Sequence, residues 1–276
     1  MSELKYITPT RLGECRKEEK MELFDTHSHY NDEKFKEVRE KIIKQTYEAG
    51  ITKFVCAGYN VKSSREAIEI ANNYEYIYSI CGISPNDLED YNEANIEIIK
   101  ELAKNKKNVA IGEIGLDYYW NKKNKDMQKQ AFIEQINLAN ELNLPIVIHS
   151  RDAVQDTIDV LKQNPTNKKG IFHCAQLNKY LIEEGVKLGF YISFAGPITF
   201  KNSKNAEEII KMVPMNQILI ETDSPYLAPE PVRGTINDSR NVKYIAEKIS
   251  AIKGLPVEEI AKITYENARR IFDIQE

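Results

Sequence analysis

The sequence predicts an α/β chain whose strands close into a (β/α)8 TIM barrel, and three observations carry that prediction. The chain has 276 residues, close to the roughly 250 that such a barrel uses as one domain. Eight short apolar or β-branched runs alternate with amphipathic segments, the pattern of strands joined by helical crossovers. No long Gly/Ser/Pro-rich stretch separates them, so residues 21–276 read as one barrel domain and residues 1–20 as an N-terminal extension, expected to pack loosely or not at all.

In chain order the strand runs are 22–27, 53–57, 77–83, 109–114, 145–149, 170–173, 190–194 and 217–221. Asn72-Asn73 reads as the end of the helix after the second run. Residues 93–103 (EANIEIIKELA) place Ile96, Ile99 and Leu102 at spacings of three. Residues 127–142 place Phe132, Ile136 and Ala139 on one stripe. Both are amphipathic helices able to cover a barrel. Segment FAGPITF, at 194–200, has the Gly and Pro to turn a loop over the rim. Residues 239–252 and 256–272 supply two last helices, with Pro256 fitting the first turn of the second. No fixed sequence repeat is present.

Composition narrows the class. Apolar residues make up 42% and charged residues 29%, which excludes disorder over most of the chain. No apolar run approaches the roughly 20 residues of a membrane helix, so no membrane partner is expected. The first twenty residues are polar and lack the apolar core of a secretory signal. Cys15, Cys56, Cys81 and Cys174 are widely separated with no CxxC pair. They read as reduced thiols of a cytoplasmic protein. A net charge of −4 argues against a protein that coats nucleic acid. It leaves room for a nuclease, which needs only a local basic surface.

The chemistry lies in the histidines. The chain has four, His27, His29, His149 and His173, and each falls at or just past the C-terminal end of a strand run, the edge where an α/β barrel builds its site. His27 and His29, two apart on an extended segment, point to one side. A lone histidine at a strand end is more often a hydrogen-bonded core residue; four of four favour a shared metal site. Glu113, in the apolar setting VAIGEIGLD, is costly as an ion unless paired or metal-bound. Asp223 reads alone as a turn cap before Ser224-Pro225, and beside converging imidazoles as a ligand. Asp25 and Glu221 alternate away from the ligands and are expected to support them, and Cys174 is expected to face the core. Imidazole and carboxylate without thiolate suit Zn²⁺, Mn²⁺, Fe²⁺, Co²⁺ or Mg²⁺. Six donors exceed the need of one tetrahedral ion, so the economical arrangement is two divalent metal ions bridged by a carboxylate, a device for phosphoryl transfer.

FDTHSHY at 24–30, IGEIGLDYY at 111–119, PIVIHSRDA at 145–153, FHC at 172–174 and ETDSPYLAP at 221–229 together resemble the TatD family of metal-dependent deoxyribonucleases, within the amidohydrolase-like barrel superfamily. The resemblance runs from Met21 to the C-terminus. It implies that His27, His29 and Asp223 bind one ion, that Glu113 bridges, and that His149 and His173 bind the second. It further implies metal-dependent DNA cleavage, often from a 3′ end and often with Mg²⁺, with Asp223 orienting or deprotonating the attacking water. The chain departs from the family where Gly-x-His-Pro is common and Gly82-Ile83-Ser84-Pro85 stands. The missing histidine is associated with the scissile phosphate; Ser84 can hydrogen-bond there but cannot titrate near neutrality. It departs again where Phe-Ser-Gly follows His-Cys and Ala175-Gln176-Leu177 stands.

Arg151, two residues past His149, reads either as a bidentate phosphate contact or as a helix-start ion pair with Asp152 or another acid. Tyr118, Tyr119, Trp120, Lys122, Lys123 and Lys125 follow Glu113. They read either as a stacking and backbone-attracting loop for single-stranded nucleic acid or as a packed loop with a solvated lysine face. Asp117 is expected to orient a ligand histidine through its far nitrogen, or to cap a turn. The resulting expectation is a hydrolase of DNA phosphodiesters, a 3′–5′ exonuclease on single-stranded DNA working through two metals and activated water. Its catalytic residues are Glu113 and Asp223, with substrate contacts from Arg151, Ser84 and Tyr118. Two rivals stand: an amidohydrolase-type enzyme acting on a small amide, lactone or ester, and a metal-binding interaction protein that has lost turnover.

Overall fold

The computed structural model describes residues 21–275; the N-terminal extension lies outside them. Strand β1 (Leu23–Ser28) is buried along its whole length, as expected of a barrel strand covered on both faces. Helix α1 (Arg39–Glu48) returns the chain to β2 (Ile51–Ala57), and α2 (Val61–Asn72) leads to β3 (Ile77–Cys81). The succession continues through α3 (Glu93–Ala103), β4 (Asn108–Asp117), α4 (Lys125–Leu142), β5 (Ile146–Arg151) and α5 (Val154–Gln163). It ends with β6 (Ile171–Phe172), α6 (Lys179–Lys187), β7 (Tyr191–Phe194), α7 (Ala206–Met212), β8 (Ile218–Ile220), α8 (Val242–Lys253) and α9 (Val257–Phe272).

The strands form one 8-stranded sheet in sequence order, and every adjacent pair is parallel. The sheet closes just beyond β8, where Asp223 N–H donates to His27 O at 2.9 Å and His29 N–H donates to Ser224 O at 2.7 Å. The strand adjacent to the metal-ligand candidates is therefore sewn to β1 by their own backbones. Phe172, Phe194, Ile192 and Ile218 pack in the larger apolar cluster, while Phe24, Val55, Ile80 and Val147 form a second with Phe272 of α9. Burial of this kind contributes about 1.5–3 kcal/mol per large side chain.

Three of the helices begin where side chains satisfy their free N–H groups. Asn60 and Ser63 make a reciprocal capping box on α2, and the side chains of Asn92 and Asn178 accept from Asn95 N and Leu181 N at the starts of α3 and α6. Helix α4 also carries two buried glutamines that grip the rim. Gln128 Oε1 accepts from Asp117 N at 2.8 Å and its Nε2 donates to Asp117 O at 2.9 Å. Gln135 does the same for Ile83, at 2.8 and 2.9 Å. Each amide fixes both backbone groups of a residue at a strand end, where no neighbouring strand can do so.

All eight expected runs become strands, with differences at the edges. β4 and β5 extend further toward the rim than hydropathy indicates, and β6 shrinks to two residues. The segment expected as one helix from 239 divides: Asp238 caps a short 3-10 turn, Ser239–Asn241, before α8 begins. Pro256 is extended (ψ 144°) and precedes α9 as its cap residue, outside the first turn where the sequence places it. The helix at 93–103 and the helix end at Asn72-Asn73 stand as expected.

Gly115 shows how closely β4 and β5 approach beside the rim. It has φ +138°, and a Cβ there would lie 2.0 Å from His149 O. Gly115→Ala is expected to cost about 3 kcal/mol or more, since backbone must move. Gly254→Ala, at a helix end with φ +68° and nothing within 4 Å, is expected to cost about 1 kcal/mol. Equilibrium urea unfolding of both variants measures the difference, and equal losses would contradict the packing described.

Candidate metal centre

The C-terminal ends of β1, β4, β5, β6 and β8 bring six side chains to one floor. His27 lies in β1 and His29 just past it; Glu113 is in β4, His149 in β5, His173 one residue past β6, and Asp223 in the turn after β8. Glu113 Oε1 lies 2.9 Å from His149 Nδ1 and 3.0 Å from His173 Nε2. Its Oε2 is 3.7 Å from His27 Nε2. Asp223 Oδ1 lies 3.2 Å from His29 Nε2 and 3.8 Å from His27 Nε2. The His27 and His173 rings are stacked with centroids 4.1 Å apart. His27, His29 and Asp223 each offer a donor atom within 4.8 Å of the others, and so do His27, Glu113 and His173.

The far sides of three of the four rings face protein groups. His149 Nε2 donates to Asp117 Oδ2 at 2.9 Å, leaving Nδ1 aimed at Glu113. His29 Nδ1 donates to Ala57 O at 3.2 Å, leaving Nε2 aimed at Asp223. His173 Nδ1 lies 3.4 Å from Glu221 Oε1, and that same oxygen accepts from Cys174 N at 2.7 Å. Such partners set the tautomer and orientation of ligand imidazoles. Asp25 works one step further out: its buried carboxyl accepts from Thr222 N at 2.9 Å and from the Thr222 hydroxyl at 2.5 Å, anchoring the residue before Asp223.

A divalent cation fits this donor set. Both nitrogens of His27 are buried without a hydrogen-bond partner, a costly state for a polar atom, and Nε2 faces two carboxylates beyond hydrogen-bonding distance. The donors are imidazole and carboxylate, with no thiolate: burial, then the carboxylates of Asp223, Glu221 and Glu113, hold the Cys174 thiol well above its ordinary value.

The charges around the floor follow from the same contacts. Burial pushes the Glu113 carboxyl up, but His173, His149 and His27 together outweigh it and hold it well below the usual carboxylate range. Burial likewise raises Asp223, and His29, His173 and His27 bring it below its ordinary value. Asp117 is brought down to about 2, burial being outweighed by His149 and the Trp120 N–H. Burial raises Asp25 to about 7 against the hydrogen bonds of Ser239 and Thr222. His27 is lowered by burial and by His173.

Above the floor opens a cleft of about 1180 Å³, lined by His29, Glu113, His149, His173 and Asp223. Four residues on its wall, Asp152, Cys174, Asp223 and Leu227, have left-handed φ between 39° and 55°, an uncommon conformation concentrated at functional sites. Arg151 lines the cleft and packs over the rings of Tyr119 and Trp120, at 3.9 and 5.4 Å to their centroids. Asp152 accepts from Gln176 Nε2 at 3.4 Å, and Arg151 makes no ion pair with it.

Other expected contacts lie elsewhere. Ser84 is buried; its hydroxyl donates to Asp87 Oδ2 at 2.8 Å and accepts from Asn86 N at 3.2 Å. Asn86 lines the cleft instead. Tyr118 is also buried, its hydroxyl donating to Asp156 Oδ2 at 2.6 Å, while Tyr119 and Trp120 face the opening. Cys174 lines the cleft where alternation places it in the core, because its φ of 39° breaks the extended geometry on which alternation rests. Ala175, Gln176 and Leu177, marked in the sequence by their departure from the family pattern, line the cleft, whereas Asn86 and Tyr226 were not found by sequence reasoning; they sit on loops with no periodicity to reveal them.

Comparisons with known proteins agree with this architecture. Residues 24–273 match the family described as TatD related DNase. Over 253 residues the chain is 44% identical to the uncharacterized metal-dependent hydrolase YabD of Bacillus subtilis, covering 91% of this chain and 99% of that protein. It is 30% identical over 259 residues to the 3'-5' ssDNA/RNA exonuclease TatD of Erwinia tasmaniensis, covering 91% and 100%. The crystal structure of YJJV, a TatD homolog from Escherichia coli, superposes with a TM-score of 0.87 at 25% identity, covering 92% and 98%.

Calorimetric titration with Mn²⁺ tests the donor set. Asp117→Asn is expected to weaken binding about 10–100-fold by releasing the His149 ring, and Glu113→Ala to lower the number of ions bound. Unchanged isotherms for both variants would show that the ions bind elsewhere.

Proposed function

Because the chain belongs to the TatD family of metal-dependent hydrolases, we propose that it hydrolyses nucleic-acid phosphodiesters, acting as a 3′–5′ exonuclease on single-stranded DNA. The observation that carries the reading is one cleft that opens on five of the six convergent donors and on Arg151, a guanidinium with no carboxylate partner among the described residues. A phosphodiester is the small anionic ester that uses both. The name of the Erwinia relative supports the polarity and the single-stranded substrate.

His27, His29 and Asp223 would hold one divalent ion, His149 and His173 the other, with Glu113 between them. The ions, when bound, polarise the phosphate and make water a competent nucleophile at neutral pH. The protein's own groups do the rest. Arg151 takes the phosphate oxygens through its planar fork. Asp223, ionised and lining the cleft, orients the attacking water and accepts its proton. Asp117 and Glu221 keep the imidazoles of His149 and His173 from rotating out of register. Ser84 stands away from the cleft wall, so the scissile phosphate is positioned by Arg151, and the loop after β3 presents the Asn86 amide to the cleft.

A metal-supplemented assay on 3′-labelled single-stranded DNA is expected to release nucleotides, and chelator or Glu113→Ala to abolish the release. Arg151→Ala is expected to raise KM roughly 10–100-fold, the value of a hydrogen bond to a charged group. Activity that survives both chelator and Glu113→Ala would contradict the mechanism. Preference for amide or lactone substrates over DNA would place the chain with the amide-cleaving branch of its superfamily.

A further inference from the structure

We infer that Tyr119, Trp120 and Arg151 form a subsite for a single unpaired nucleotide, the base stacking on Trp120 and the phosphate held by Arg151, and that Asp117 fixes this subsite relative to the metal centre. The inference rests on the nucleic-acid reading above and adds what part of the polymer is recognised and by which atoms.

Trp120 is the chain's only tryptophan, and it is 69% exposed at the cleft mouth. An indole left in water at a cleft edge has its large apolar face free to cover something. Its ring stands at 88° to that of Tyr119, with centroids 4.7 Å apart. The Arg151 guanidinium lies over the Tyr119 ring, which holds the cation in place without neutralising it. One face is thus aromatic and its neighbour cationic, the pair of features that a base and its own phosphate require.

The loop carrying the rings is tied to the metal floor by one side chain. Asp117 Oδ1 accepts from both Tyr119 N and Trp120 N at 2.9 Å. Asp117 Oδ2 accepts from His149 Nε2 at 2.9 Å and from Asn86 Nδ2 at 3.2 Å. The carboxylate that orients a metal ligand therefore also orients the stacking platform. The spacing between stacked base and floor is a property of this chain's backbone. A base in a duplex is already stacked and paired, and it must leave the helix to reach Trp120. The subsite accordingly selects unpaired ends.

Because Trp120 is alone, its fluorescence reports this subsite directly. Adding a phosphorothioate-linked oligothymidylate, which resists cleavage, to the metal-loaded protein is expected to quench the emission. An oligomer of equal length with abasic residues is expected to leave it unchanged. In cleavage assays Trp120→Ala is expected to raise KM for single-stranded DNA roughly 5–150-fold, the range of one base stack, with a smaller change in kcat; Trp120→Phe is expected to recover most of the loss. DNA cleavage with no quenching and an unaltered KM for Trp120→Ala would overturn the subsite and leave the nuclease reading intact. Quenching equal for abasic and normal oligomers would also overturn it, by showing attraction to the backbone alone. Base-dependent quenching without cleavage under any metal would sustain the subsite and remove the nuclease reading instead.

Discussion

The Glu113 carboxylate is the constraint on which the rest of the site depends. It is a buried anion, nearly closed off from water, and an ion in that position is stable only if opposite charge or hydrogen bonds surround it. Three imidazoles from three strands do so, with His149 and His173 sharing one oxygen and His27 facing the other. Behind two of those rings stand carboxylates whose positions the barrel sets, Asp117 at His149 and Glu221 at His173. The charge at the centre thus determines which side chains must converge, and the parallel sheet determines that they can.

The barrel meets that demand by departing from regular geometry at its rim. β4 runs on past Glu113 to Asp117, and β5 to Arg151, carrying the supporting carboxylate and the cleft cation beyond the core. Gly115 lets the two strands approach where a side chain would collide. Left-handed residues after β5, β6 and β8 turn the chain sharply so that backbone groups, and not only side chains, face the cleft. Gln128 and Gln135 satisfy backbone groups that such departures leave without a ladder partner. The rim is irregular and still fully bonded at these points, which gives the donors fixed positions.

Much of this was legible in the sequence. Hydropathy located the eight strands, because a buried parallel strand must be apolar for its length. The ends of those runs located all four histidines, and the apolar surroundings of Glu113 marked it as an anion in need of partners. Asp117 was legible in both of its readings, support of a ligand histidine and turn cap, although the apolar run stops at 114 and does not place it in β4. What periodicity misses is where the period stops. Tyr118 and Tyr119 differ by one position, yet one is buried against Asp156 and the other opens on the cleft, because Asp117 caps the N–H groups of Tyr119 and Trp120 and turns the chain. Ser84 hydrogen-bonds locally to Asp87, a choice that depends on loop shape. Cys174 enters the wall through a backbone angle that residue type does not announce.

The groups that line the cleft above the ligand side chains lie at strand ends and on loops: Tyr119 and Trp120 after β4, Arg151 at the end of β5, and Gln176 after Cys174. The floor beneath them is the claim that carries everything else. Diffraction from crystals grown with Mn²⁺, collected at its absorption edge, tests it most directly. The account predicts two anomalous peaks, one among His27, His29 and Asp223 and one among Glu113, His149 and His173. Well-ordered crystals with no peak at this rim, or with manganese bound only at the protein surface, would contradict it.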